Sequence, residues 1–423
     1  GESPTLDLTM PSLYLGTGQA VTFEVSDRKS GIRSVWAAIS KAGKEHVLLD
    51  RQIQDPEGKK KHKATFEIAV DPLKLGLADG PAMLRMVVRD NSWRRWWHGN
   101  ISYLEKEVFI DTRPPEISIL SRQHYINQGG AGLVIYRLSE ACPQSGVFVG
   151  DRFFAGYSGY FSDAKILMSF FALDIDQGSG TRVFVGAVDP AGNRTETAFD
   201  YLIRRKVFKK DVITISDRFL ERKVPEFSST QRAIPGGSLL EKFIWSNRDL
   251  RRENYRTIVE IAGRSAADIL WEGEFLRLPG SMRKAGFGES RQYRYKGRVV
   301  DRQVHQGIDL ASTVRSPVPA ANSGKVIHAG ILGIYGNTFV IDHGFGLLST
   351  YSHLSQIDVQ MDQDVAKGDI IGKTGSTGLA GGDHLHFGVF VQQQFVNPLE
   401  WWDDTWITNN ITAKIKEVRS TWQ

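Results

Sequence analysis

The chain has 423 residues, 41% of them hydrophobic and 24% charged, with a formal net charge of +5. That is the composition of an ordinary globular protein, long enough for about two to four domains. The lone Cys142 excludes an intrachain disulfide and a thiolate metal site, and a mild charge without a dense Lys/Arg block argues against nucleic-acid binding.

The chain opens on Gly1-Glu2-Ser3, without an initiator methionine, so we expect a signal peptide or membrane anchor to have been removed upstream. Residues 4–112 read as short alternating strands, Val21 to Val25 and Thr65 to Val70 among them, separated by Gly, Asp, Pro and Asn turns. This is the pattern of a β-sandwich. Lys59, Lys60 and Lys61 read as a solvated hairpin tip. The next segment repeats the landmarks of the first. Pro4-Thr5-Leu6 corresponds to Pro115-Glu116-Ile117, Ser30-Gly31-Ile32 to Ser145-Gly146-Val147, and the Asp90 to Asn100 turn to Asp189 to Asn193. A proline pair in "DTRPPEI", Asp111 to Ile117, marks the joint. We therefore predict two immunoglobulin-like sandwiches, 4–112 and 113–205.

One loop separates the copies. The second spans its Asp-to-Gly turn with Pro190 and Ala191, where the first inserts "NSWRRWWH", Asn91 to His98. Three tryptophans and two arginines cannot all be buried inside one loop. Either the Trp93–Trp97 stretch packs on a neighbouring domain, or it offers a contact surface to a glycan or an envelope protein. The longest apolar run, Ile166 to Ile175, is broken by Ser169 and Asp174 and is too short to span a bilayer.

From Lys206 the periodicity turns helical. "SDRFLERK", Ser216 to Lys223, starts on a cap-like serine, and Ser238 with Glu241 three positions on forms a capping box for "SLLEKFIW". "LRRENYRTIVEIAGR" places Leu250, Tyr255, Ile258, Val259 and Ala262 on one face. We predict a helical connector over 206–270 and a mostly β remainder over 271–423.

The residues with chemistry lie beyond Gly286. "VHQGIDLA" gives His305 and Asp309, "STYSHL" gives His353 at a strand end, and "GGDHLHFGVF" gives His384 and His386. Gly307, the β-branched neighbours, Pro317 and Pro319 argue for a bent or extended path around Asp309. On a strand, side chains two apart share a face, so His384 and His386 project together while Leu385 and Phe387 turn away. A carboxylate with two neutral imidazoles and an open fourth position suits a catalytic zinc site, where a water can be activated.

These motifs resemble the lysostaphin-type, LytM-like zinc endopeptidases that cut peptidoglycan peptides. "GFGESR" (Gly286 to Arg291) looks like that family's opening segment and "HQGIDLA" like its first metal motif. "GNTFVIDHGFGLLSTYSHLS" (Gly336 to Ser355) resembles its central hairpin, and "VAKGDIIGKTGSTGLAGGDHLHF" (Val365 to Phe387) its closing motif. The likeness covers about 285–400. It implies a β-rich peptidase domain built on a duplicated hybrid motif, with His305, Asp309 and His386 as Zn2+ ligands. His353 and His384 would be the acid/base and oxyanion-stabilising pair, with Asn337 and Tyr351 as weaker candidates for orienting substrate. Gly388 departs from the acidic residue expected after "HLHF", which puts the shape of the groove in question. The implied substrate is peptidoglycan, with bonds from D-Ala to a diamino acid favoured, and the implied location is periplasmic or extracellular. The competing readings are a non-catalytic LytM-like regulator of another cell-wall hydrolase and a glycan-binding adhesion protein. We further expect the sandwiches and connector to position or restrain the peptidase, since His46, His62, His98 and His124 are scattered among turns.

Overall fold

A computed structural model of the chain describes residues 2–53, 60–92, 99–228 and 236–422. The Trp93–Trp97 stretch with His98, and Lys59 of the lysine run, lie outside the described residues. The structure is mostly β with few helices, and it divides into two compact units.

The first unit comprises residues 1–117, 138–145 and 186–196. Strands Thr5–Thr9, Gln19–Ser26 and Lys63–Val70 form one antiparallel sheet. A second sheet runs in the order Tyr14–Leu15, Ile101–Ile110, Gly80–Asp90, Ile32–Lys41, Lys44–Gln52. The alternation read in Val21 to Val25 is the burial pattern found: Val21, Phe23 and Val25 are buried, while Thr22 and Glu24 are half-buried. The buried set packs with Val35, Ile39, Leu84 and Met86 of the other sheet in one core, each such side chain contributing about 1.5–3 kcal/mol of hydrophobic stabilisation. The repeated Asp-to-Asn landmark has one geometry in both copies. Asp90 accepts from the Asn100 backbone N–H at 2.7 Å and from its Nδ2 at 2.8 Å. Asp189 accepts from the same groups of Asn193 at 2.9 and 2.8 Å.

The second unit comprises residues 118–137, 146–185 and 197–423. The apolar run Ile166–Ala172 is a fully buried strand, paired antiparallel with Ala131–Leu138. This region is fixed to the C-terminal part by buried polar groups. Glu400 accepts from Asn127 Nδ2 at 2.6 Å and from the Ala131 N–H at 2.8 Å, and Lys414 Nζ donates to the Leu133 carbonyl at 3.1 Å.

The helical signals fall where the sequence places them. Helices span Asp217–Ser228, Leu239–Trp245 and Arg251–Ala262, and the second carries the Ser238/Glu241 capping box. Strand Lys210–Ile215 precedes them and pairs in parallel with Ser290–Tyr295, so stretch 206–270 shares a sheet with the segment that follows it.

An eight-stranded sheet positions the candidate histidines: His386 lies in one of its strands, and His353 and His384 adjoin strand ends. Its order is Met282–Ala285, Ile308–Ala311, Leu385–Val391, Leu347–Ser352, Asn337–Asp342, Gly324–Ile331, Asp364–Val365, with Gln394–Val396 also paired antiparallel to Leu385–Val391. Beyond it the chain turns helical, over Pro398–Trp401, Asp404–Ile407 and Ala413–Trp422. The sequence reading of a mostly β remainder missed these. Asn397 caps Pro398 at the first helical position, and Trp401, Ile407, Ile411 and Val418 are buried. Among the described residues no helix is long and apolar enough to cross a membrane.

Candidate metal centre

Sheet register assembles the site. Asp309 lies directly opposite His386 in the pairing of Ile308–Ala311 with Leu385–Val391. On the other side His386 faces Ser352, the last residue of its strand, which places His353 just past the sheet. The chain there turns sharply. His353 sits at φ 65°, a left-handed conformation that a residue with a Cβ seldom adopts, and its N–H donates to the Tyr335 carbonyl at 2.8 Å.

Of the candidate side chains, the three expected as ligands converge on one point. His305 Nε2 and Asp309 Oδ1 are 3.0 Å apart, His305 Nε2 and His386 Nδ1 3.0 Å, and His386 Nδ1 and Asp309 Oδ1 2.9 Å. His384 Nε2 stands 3.5 Å from the same Asp309 oxygen, so the two histidines of "HLH" do project to one side. The rings of His353 and His384 lie 4.9 Å apart between centroids.

Glycine at 307 makes room for this. A Cβ there would lie 2.7 Å from His386 Cε1 and Nε2 and 2.7 Å from the Phe387 carbonyl oxygen. Gly388 is accounted for by packing: a Cβ would meet Thr350 Oγ1 at 2.6 Å and the Phe395 ring at 2.9 Å, and the residue does not border the cavity.

The donor set fits a cation. His305 donates from Nδ1 to the Gly286 carbonyl at 2.8 Å, which selects the tautomer whose Nε2 would offer a cation its lone pair. That lone pair faces a carboxylate oxygen and a second imidazole nitrogen. Burial pushes the His386 ring down to about 4, against the opposing pull of Asp309, so it stays neutral. Neutral rings cannot place a proton in every one of these short contacts, whereas a cation with ligands at about 2.0–2.2 Å would satisfy all three atoms. The second Asp309 oxygen, Oδ2, is held by Arg291 Nη2 at 3.0 Å. Although burial opposes it, the surrounding histidines keep Asp309 well below the usual carboxylate range. His353 donates from Nδ1 to the Thr377 carbonyl at 2.8 Å, and burial above all, beside the neighbouring His384, holds the ring well below the ordinary histidine value.

Asn337 and Tyr351 are not brought to this cavity. Asn337 Nδ2 donates to the Leu354 carbonyl at 3.1 Å. Tyr351 is buried on the opposite face of the sheet, stacked on Phe339, with its hydroxyl accepting from the Ala321 N–H at 2.7 Å. Other groups do border the cavity. Arg291 closes the quoted "GFGESR" stretch, and its position two residues past Glu289 gave no sign of a carboxylate partner. Tyr335 has a buried hydroxyl without a hydrogen-bond partner among the described residues, and a ring centroid 5.7 Å from that of His386; nothing in its sequence context marks it. The connector contributes Ile213, Ile215, Phe219, Phe243, Asn247 and Arg251 to the lining of this cavity of about 240 Å³.

Residues 303–398 match the family model of peptidase family M23, so the C-terminal part carries a peptidase M23 domain. The DD-carboxypeptidase/endopeptidase Mpg of Neisseria meningitidis is 39% identical over 97 residues, covering 23% of this chain and 22% of that protein. The peptidoglycan DD-endopeptidase ShyB of Vibrio cholerae is 36% identical over 116 residues, covering 27% of this chain and 26% of that protein. The chain thus spans only about a quarter of the length of these curated relatives. Among solved structures, the catalytic domain of lysostaphin from Staphylococcus simulans is 28% identical, covering 31% of this chain and 98% of that one at a TM-score of 0.27.

Proposed function

We propose that the chain is a zinc metalloendopeptidase of the bacterial cell envelope that hydrolyses peptide cross-links of peptidoglycan, preferring bonds from D-Ala to a diamino acid. The observation that carries this reading is the convergence of His305 Nε2, Asp309 Oδ1 and His386 Nδ1 within about 3 Å of one another. The M23 match and the names of the two relatives supply the substrate class. Zinc bound there would supply a Lewis acid and lower the pKa of a water.

The chain's own groups do the rest. Arg291 fixes Asp309 through Oδ2 and leaves Oδ1 turned to the ligand point. His353, with its Nδ1 proton given to Thr377, keeps Nε2 as a lone pair that takes the proton of the attacking water and returns it to the leaving amine. His384, beside Asp309, stabilises the charge that develops on the carbonyl oxygen. A non-catalytic regulator is not favoured, because both ligand histidines, Asp309 and both flanking histidines are present and meet in one cavity. We read the front modules as immunoglobulin-like sandwiches that present this domain to the wall, with the Trp93–Trp97 loop as the contact for an envelope partner.

Digestion of defined cross-linked muropeptides, followed by mass spectrometry, tests the proposal. Metal-stripped protein should be inert, and zinc should restore cleavage between D-Ala and the diamino acid. A zinc-loaded protein that leaves every cross-link intact refutes it.

A further inference from the structure

Beside the metal cavity lies a second, larger cleft of about 800 Å³, and Arg251 borders both. Its walls carry Arg152, Arg248, Arg251, Arg252 and Arg302 against only Asp174 and Asp301. Five guanidinium groups in one concavity repel one another, and two carboxylates cannot neutralise them. Three of the groups, Arg152, Arg248 and Arg251, are nevertheless held in place. Arg248 Nε lies 2.6 Å from Asp301 Oδ1, and its Nη2 donates to the Val300 carbonyl at 3.1 Å. Arg251 donates from Nε and Nη2 to the backbone and side-chain oxygens of Asn247 at 3.0 and 2.6 Å, and Asn247 in turn donates to Asp301 at 2.7 Å. Arg152 Nη2 donates to Asp174 at 2.8 Å.

Each guanidinium has five N–H donors, so these anchors fix position while leaving donors to spare. Arg302 is exposed and has no carboxylate within ion-pair distance among the described residues. Arg252 has only a loose contact, 3.6 Å, with Asp249. An under-neutralised set of forked donors, three anchored and two free to close on a ligand, is suited to bidentate recognition of carboxylates.

We propose that this cleft is the subsite for the carboxylate-bearing arm of the substrate peptide, which crosses Arg251 on its way out of the metal cavity. The inference rests on the peptidase reading. At about 240 Å³ the metal cavity falls below the usual ~300–1,000 Å³ of ligand sites, so a cross-linked peptide must extend beyond it. Stem peptides carry free carboxylates on D-Glu, on the diamino acid and on the terminal D-Ala, which match the charge of the wall they would meet.

The test is calorimetric titration of the full chain with a synthetic peptide of L-Ala, D-Glu, diaminopimelate and D-Ala. The carboxylates are free in one sample and converted to amides in the other. The free peptide should bind about tenfold more tightly, a gap that shrinks as salt rises. The double variant Arg252→Gln/Arg302→Gln should remove that gap and leave the amidated peptide unchanged. Both positions are exposed, so the fold should be kept, and Arg302→Lys alongside Arg252→Gln should restore part of the difference. Equal binding of the two peptides, no binding of either, or an undiminished gap in the double variant overturns the inference. Tight, carboxylate-dependent binding by a zinc-loaded protein that cuts no muropeptide would leave the cleft assigned and sink the peptidase reading instead.

Discussion

Gly307→Ala isolates the geometry of the ligand point from its chemistry, because it removes no donor. A Cβ at 307 would stand 2.7 Å from two atoms of the His386 ring and from the Phe387 carbonyl oxygen, where carbon contacts settle at about 3.5–4.0 Å. The backbone at 307 is not left-handed, so alanine meets no dihedral strain and the effect is steric. The carbonyl belongs to a sheet pairing with Ile308, which leaves the imidazole as the group that must yield. Relief requires a shift of roughly 0.8 Å, several times the ±0.2 Å within which metal–ligand distances are held. We expect zinc affinity to fall by at least the 10–100-fold typical of a disturbed ligand shell. The metal-free chain should lose about 1–3 kcal/mol as an overpacked site. Chelator competition measures the first and denaturant unfolding the second. Gly180→Ala, where a Cβ meets nothing within 4 Å, is the control. A variant that binds zinc as tightly as the parent would refute the claim that His386 is held against Gly307 as a ligand.

Two further outcomes are expected. His305→Ala and His386→Ala should lose zinc by elemental analysis, whereas His353→Ala and His384→Ala should retain it and lose turnover by roughly two orders of magnitude; zinc loss in the second pair would make those residues ligands. Glu400, pushed up to about 7 by burial, holds a proton in the fold that the unfolded chain releases near the ordinary glutamate value. Its contribution to stability is therefore complete below about pH 4.5 and is lost as pH rises through about 7, a change of roughly 3 kcal/mol. The difference in melting temperature between parent and Glu400→Gln, followed from pH 4 to 8, should show that slope; a flat difference refutes it.

The parts of the site legible in the sequence are those in which local geometry and chemistry coincide. His384 and His386 share a strand face by the two-residue repeat, and His305-x3-Asp309 with its glycine reads as a bend into a strand, so a ligand set could be named before any fold was known. The capping box at Ser238 and the alternation of Val21 to Val25 were legible for the same reason, since each depends on neighbours within a few positions. Asn337 and Tyr351 show where that reasoning stops. Both lie in the resembling hairpin, yet the pleat directs Tyr351 to the far face of the sheet and Asn337 is spent on the Leu354 carbonyl.

The wall of the cavity was illegible because it is made by register between distant segments. Nothing local in Lys210–Ile215 says that it will add in parallel beside Ser290–Tyr295. Once it does, Ile215, Leu220, Val224 and Phe243 close over Tyr293 in one apolar cluster, and Lys223 ties the same helix to the loop ahead of His384 through the Ser376 carbonyl. The separation into connector and peptidase that the periodicity suggests is therefore a separation of patterns, while the cavity takes its lining from both. A residue such as Arg251 reads in sequence as one more charge on a helix. In the fold it borders both the metal cavity and the arginine-lined cleft, its guanidinium pinned to Asn247, where its charge bears on whatever enters either one.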